Sequence, residues 1–358
     1  MLGIPRRLRP PYAGPVGSTE DLRRRVESVC RADLSAKALR ERLLALLRER
    51  IPYDGHVFAL TDPVTHVATS PHADVPNLPW SRLPELVRWR YLTQVNRSDR
   101  LLGRPASSLL TATQSPSESL LWQHVQQDLG VVDSASVSFG DRYGAWGFLE
   151  LLRTGAPFTL DDLDLLTAVA PDITTGLRAT VARTFTEAAE DLGTGGPAVI
   201  VLSPDLVVRS QTDDAAEALL RLLPPDEPMT PIPAAAYNIG AALIAQEEGI
   251  GMGEPWSRVH LGANRWVTVR ASRLGEDIAV SIEPSTPAER MDLYARAHGL
   301  SARESEILTL LGVGLDSREI AGQLFLSEHT VNDHVKAALA KAGARTRQVL
   351  LARATGSR

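Results

Sequence analysis

The chain has 358 residues, with 38 Lys and Arg against 43 Asp and Glu, a net charge of −5, and 44% hydrophobic residues. That length accommodates two or three domains, and the acidic balance excludes a protein that sticks to nucleic acid over its whole surface. No apolar run approaches the roughly eighteen residues a membrane span needs, and the single cysteine, Cys30, excludes a disulfide framework or a multi-cysteine metal site and suits a reducing cytosol.

Residues 1–18 carry Arg6, Arg7, Arg9 and four prolines without an apolar segment, and read as a disordered lead, not a signal peptide. A first large segment, 19–190, opens with helical patterns over 21–32 and 35–50, in which Cys30 has Val26, Val29 and Leu34 as neighbours and reads as a buried thiol. Pro52-Tyr53-Asp54-Gly55 leads into the apolar run His56–Leu60, and Thr61-Asp62-Pro63 turns it, which predicts a hairpin. Helices are expected near 83–92 and over 115–129, then a strand at 135–139, a turn at 140–144 and a strand at 146–152. Thr159-Leu160-Asp161-Asp162 is a capping signal for a long helix running toward Val181.

Helices, then an antiparallel sheet, then a long helix describe an α+β sandwich. With Gly147-Phe148-Leu149-Glu150 on a strand and Phe158-Thr159-x-x-Asp162 before the last helix, the segment resembles a GAF domain. The resemblance implies either a small molecule held between sheet and helices or a surface that only dimerises. Trp80, Trp89, Tyr91 and Trp122 are the aromatic candidates for lining a pocket, Trp89 and Trp122 foremost, although helical spacing equally suits aromatics that fill a core. The cysteines of catalytic GAF reductases are absent. No cofactor or metal is evident, and an unidentified small-molecule ligand is the expectation.

Gly193-Thr194-Gly195-Gly196-Pro197 reads as a hinge to a second segment, 196–284. There Ala198–Leu202 and Leu206–Val208 flank Ser203-Pro204-Asp205 as a short hairpin, and Asp213 starts a helix to Leu223. Prolines punctuate 224–233. A helix over 234–247, strands at 256–261 and 265–274 around Gly262-Ala263-Asn264, and a last strand at 277–282 follow. The pattern resembles a PAS-like sensor domain, with Gln211-Thr212 where that family has asparagine, so a standard cofactor pocket is not implied. Pro284-Ser285-Thr286-Pro287 opens an expected linker, 285–298.

The last sixty residues, 299–358, carry four helical patterns. Ser301 and Glu304 form one capping box and Asp316 and Glu319 a second; Ile307, Leu308, Leu310 and Leu311, then Ile320, Ala321 and Leu324, supply apolar stripes. Phe325-Leu326 makes a turn, Ser327 caps a third helix to about Ala342 with Val331, Val335, Ala338 and Leu339 inward, and Gly343 stops it. A fourth stretch, Arg345 to Ala354, offers Val349 and Leu350 to the core or to a second copy. Between Val331 and Arg358 stand six basic residues (Lys336, Lys341, Arg345, Arg347, Arg353, Arg358) against Asp333, a basic end on an acidic chain that marks a docking surface for nucleic acid.

These residues resemble the LuxR-type DNA-binding domain in Leu300-Ser301-x-Arg303-Glu304, Gly314-Leu315-x-Ser317-x-Glu319-Ile320-Ala321, Leu324-Phe325-Leu326-Ser327-x-x-Thr330-Val331-x-x-His334-Val335 and Lys341-x-Gly343-x-x-x-Arg347. The resemblance implies a helix-turn-helix over Ser317 to Lys336 whose helix 327–342 enters the major groove of double-stranded DNA. It places base reading on Asn332, Asp333 and Lys336, and phosphate contact on Thr330 and His334. Ser327, Val331, Lys341, Arg345 and Arg347 complete the expected DNA-binding set. Many members have Lys or Arg where this chain has Asn332; Asn can pair bidentately with adenine, Asp333 can accept from cytosine, and Lys336 can reach guanine. Taken singly, His334 and Lys336 read as well as solvated side chains.

Together these features predict a multidomain α+β chain with a GAF-like α/β sandwich, a PAS-like domain and an all-α four-helix end. The expected function is a cytoplasmic transcriptional regulator, a homodimer on two half-sites, with RNA polymerase as a further expected partner and no membrane. The alternative is a sensor or dimerisation protein acting through protein contacts with a degenerate DNA module. No Gly-rich phosphate loop, HExxH or Gly-x-Ser-x-Gly elbow occurs, and Asp161-Asp162 and Asp213-Asp214 stand at helix starts, where carboxylates complement the helix dipole, so no enzyme is expected.

Overall fold

The computed structural model describes residues 19–187, 198–222, 234–251 and 253–357. The expected lead at 1–18, the hinge at 193–197 and the proline-punctuated stretch at 224–233 lie outside them.

The first unit is built on α1 (Thr19–Arg31), α2 (Ala36–Arg48), β1 (Gly55–Thr61), β2 (Ala68–Asp74), α3 (Leu83–Leu92), β3 (Ser107–Ser108), α4 (Leu109–Ala112), β4 (Asp133–Asp141), β5 (Gly144–Arg153) and α5 (Leu160–Thr184). Its five strands form one sheet in the order β2-β1-β5-β4-β3, antiparallel throughout. One face is apolar: Phe58, Val137, Phe139, Leu149 and Leu151 pack under α1, α2 and α5, and Cys30 lies there, its thiol pushed up to about 12 by burial. The helix expected over 115–129 is interrupted. Ser115 and Glu118 do form a capping box, but it closes a single 3-10 turn, Pro116–Glu118, after which Ser119 is extended (φ −90, ψ 116) and a π-helical turn covers Trp122–Gln126.

The second unit comprises β6 (Ala198–Leu202), β7 (Val208–Gln211), α6 (Asp213–Leu222), α7 (Ala234–Glu247), β8 (Trp256–His260), β9 (Trp266–Leu274) and β10 (Asp277–Pro284). Its sheet repeats the plan of the first, β7-β6-β10-β9-β8. Helix α7 reads Ala-Ala-Ala-Tyr-Asn-Ile-Gly-Ala-Ala-Leu-Ile-Ala with no polar face, and all of Ala234–Ala245 is buried. A helix apolar all round needs cover all round: α7 has β9 and β10 on one side and α3 and β2 of the first unit on the other.

The C-terminal unit contains α8 (Pro287–Ala297), α9 (Ala302–Gly312), α10 (Ser317–Leu324), α11 (Glu328–Ala342) and α12 (Arg347–Thr355). The stretch expected as a linker is therefore a helix. Thr286 caps Glu289, whose carboxylate accepts from the Thr286 amide, and Pro287 takes the first helical position, where its missing N–H costs nothing. Met291, Leu293, Tyr294, Ala295 and Ala297 are buried, and α8 packs on α5, α9 and α12, so it joins the front of the molecule to the end.

Candidate nucleic-acid interface

Asp316 accepts from the amides of Arg318 and Glu319, and Glu319 accepts from the amide of Asp316, which fixes the start of α10. Phe325 ends the helix in the left-handed region (φ 54, ψ 44), lets the chain reverse, and leaves its ring 95% exposed. Ser327 caps α11 by accepting from the amide of Thr330, and Gly343 (φ 58) terminates it in the conformation glycine adopts at least cost. Ile307, Leu311, Ile320, Ala321, Val331 and Val335 close one core between α9, α10 and α11. The spacing of the two buried valines turns Glu328, His329, Asp333 and Lys336 outward as one exposed stripe, with Asn332 and His334 half-buried at its edges.

The expected DNA-binding residues separate by what they touch. Thr330 is half-buried at the first turn, its hydroxyl 2.8 Å from that of Ser327. Val331 is fully buried, so it supports α11 from inside and does not belong to the outer surface, a correction that follows from the core position its spacing already implied. Asp333 pairs with Lys336 at 3.2 Å and lies 3.4 Å from His329 Nε2 on the open face. Lys341, itself exposed, pairs with buried Glu304 on α9, Nζ to Oε2 2.6 Å; burial would raise the Glu304 carboxyl, but Lys341 and the Ser301 amide hold it below its usual range. Arg345 is exposed. Leu350 is buried on the core side of α12, and Val349 is exposed.

Asn332 and Arg347 meet, a pairing no sequence spacing announces. Arg347 Nη2 donates to Asn332 Oδ1 at 2.5 Å and to Ser317 Oγ at 2.8 Å, and Ser317 Oγ donates to the same Asn332 oxygen at 2.9 Å. Residues from α10, α11 and α12 are thus joined in one triangle beside the exposed stripe.

A second candidate site lies on the other face of the first sheet. Along β4, Ser134, Ser136 and Ser138 alternate with Ala135, Val137 and Phe139, so the serines face away from the apolar core, with Glu150 directly opposite Ser136. All four are buried. They line, with Arg90, Tyr91 and Phe148, one small cavity. Glu150 is held by Arg90 and by Gln126 Nε2 at 3.1 Å, while Arg90 Nε is buried without a partner among the described residues. The alternating serines were readable in the sequence as a polar sheet face; the aromatic signal was not the useful one. Of the four aromatic candidates only Tyr91 lines the cavity. Trp89 stacks on His124, centroids 3.7 Å apart, Trp122 Nε1 donates to Val131 O at 2.9 Å, and Trp80 is exposed.

Residues 298–354 match the family described as bacterial regulatory proteins, luxR family. No curated protein matches the chain. Among solved structures, it is similar to Escherichia coli SdiA in the space group P6522, at 16% identity over 95% of this chain and 99% of that chain, with a TM-score of 0.31. It is similar in the same degree to SdiA in complex with octanoyl-rac-glycerol, at 15% identity over 96% of this chain and 97% of that chain, TM-score 0.31.

Proposed function

We propose, from the luxR-family match of residues 298–354, that this chain is a sequence-specific DNA-binding transcriptional regulator whose front units modulate its C-terminal helix-turn-helix. The observation that carries the reading is α11: a capped helix with its apolar side sealed in a three-helix core and its opposite side, Glu328, His329, Asp333 and Lys336, open along its N-terminal half, which is the part a helix-turn-helix directs at base edges. The front units are read as GAF-like and PAS-like, each a five-stranded antiparallel sheet with helices on it. The polar cavity over β4 and β5 is the place for a small hydrogen-bonding ligand. A homodimer on two half-sites, recruitment of RNA polymerase and a cytoplasmic location complete the proposal; among the described residues no helix is long and apolar enough to cross a membrane.

The competing reading, a module that acts through protein contacts only, draws on Asp333, whose charge offsets that of Lys336 on the open face. Genomic occupancy mapping followed by footprinting with purified full chain decides between them. Protected sites sharing one sequence support the regulator. Retention only at high protein concentration, with no shared sequence and no salt dependence, favours the competing reading.

A further inference from the structure

We infer that Ser317 and Arg347 set the base preference of Asn332 by occupying its carbonyl oxygen, so that Asn332 presents hydrogen-bond donors alone to the groove. The inference rests on the DNA-binding reading above and concerns which base that reading selects. Arg347 has only N–H donors, so the amide atom facing it must be the oxygen, and the 2.5 Å contact fixes the orientation that an isolated amide would leave open. Ser317 donates to the same oxygen. A carbonyl oxygen has two acceptor positions, and both are used. The Nδ2 group makes no hydrogen bond among the described residues, and it belongs to a half-buried side chain at the edge of the exposed stripe.

Bidentate recognition of adenine needs one donor and one acceptor from the same amide, to N7 and N6 respectively. The triangle removes the acceptor. What remains, two donors, fits guanine best, whose N7 and O6 both accept, and thymine through O4; adenine offers N7 alone beside an amine that opposes a second donor. Asn332 is thereby a reader of keto bases, and Ser317 and Arg347, on two other helices, are positioning residues for it.

The test is selection of bound sequences from a random duplex pool by the full chain. Asn332→Asp keeps an oxygen for Ser317 and Arg347 while replacing the outward donors by an acceptor. Wild type is expected to enrich guanine or thymine at one position of its site; Asn332→Asp is expected to enrich adenine or cytosine at that position and to bind the wild-type site roughly tenfold more weakly. Identical preferences in the two proteins, or adenine or cytosine in the wild type at the position that changes, overturn the inference. If circular dichroism shows that Asn332→Asp has lost helix, Ser317→Ala decides: it frees one acceptor position, and a gain of adenine supports the inference while an unchanged preference overturns it. A wild type that enriches no sequence at all removes the DNA-binding reading itself, and the inference falls with it.

Discussion

Arg258 on β8 and Asp62 in the turn after β1 form a two-pronged ion pair, Nε to Oδ2 2.7 Å and Nη2 to Oδ1 3.0 Å, with their side chains 1% and 0% exposed. The Arg258 amide also donates to Asp62, and Arg258 Nη1 reaches Asp292 at 2.7 Å and the Glu289 carbonyl on α8. One guanidinium therefore joins the first unit, the second unit and the helix that leads into the helix-turn-helix. Its pKa stays raised because, although burial opposes the charge, Asp62 and Asp292 outweigh burial.

Removing one partner of a buried pair strands the other. Arg258→Ala is expected to destabilise the chain by about 3–5 kcal/mol, measured by urea unfolding, and to loosen α8 in hydrogen exchange. The double variant Arg258→Met with Asp62→Asn should recover part of that loss, since no uncompensated charge remains and the amide oxygen still accepts from the Val64 and Thr65 amides. A cost for Arg258→Ala within the few tenths typical of surface pairs would sink this account.

The C-terminal unit should need α8 for its fold. Met291 packs so closely on Gly312 that a Cβ there would lie 2.6 Å from its sulfur, and Leu293 and Tyr294 are buried. A fragment beginning at Ser285 is expected to be helical and cooperative by circular dichroism and to bind DNA on its own, with an affinity different from the full chain's because the front units that modulate it are gone. A fragment beginning at Gly299 is expected to be less stable by roughly 1.5–3 kcal/mol, the contribution of one large buried apolar side chain, because it loses Met291 from its seat on Gly312. Equal thermal midpoints for the two fragments would contradict a structural role for α8.

Two basic residues of the C-terminal unit should behave differently on DNA. Lys341 is committed to Glu304, a carboxylate whose side chain is 7% exposed, whereas Arg345 is open. Arg345→Ala is expected to lower the slope of log affinity against log salt by about one, as loss of a phosphate contact does. Lys341→Ala should leave that slope unchanged and lower the thermal midpoint. The opposite assignment of slope and midpoint would show that the Lys341–Glu304 pair opens on binding.

Acid should weaken the fold before carboxylates titrate. His56 and His298 are each pushed down to about 4, foremost by burial, with positive neighbours helping: Arg353 beside His298, and His72 and Arg48 near His56, where Asp74 opposes them. A buried histidine held neutral contributes stability that is fully present above its unfolded value near 6.5 and is lost as pH falls toward about 4, because the unfolded chain takes up the proton first. The thermal midpoint is expected to fall between pH 7 and pH 5. His298→Gln should remove part of that fall; a midpoint independent of pH over this interval, in both proteins, would refute the assignment.

Local chemistry was legible without a structure. Ser301 with Glu304, Asp316 with Glu319, Ser327 and Gly343 announce the helix-turn-helix because a cap and its helix lie within a few residues of each other, and strand alternation around 135–139 announced the sheet for the same reason. Helix α8 was written just as locally, in Thr286-Pro287-Ala288-Glu289, but the flanking prolines read as punctuation. The segment 115–129 failed in the opposite direction: its apolar residues have helical spacing, yet an extended Ser119 splits it.

What the sequence determined by itself was that α11 has one apolar and one polar side and that the C-terminal end is basic. Tertiary structure alone decided what covers α7, that Lys341 faces Glu304 while Lys336 faces outward, and that Ser317, Asn332 and Arg347, fifteen and thirty residues apart, share one hydrogen-bonded triangle. Helical periodicity specifies which face a side chain occupies, because that is set by the backbone within a few residues. It does not specify which distant donor fills a given acceptor, because that depends on how whole helices are brought together by the burial of their apolar sides.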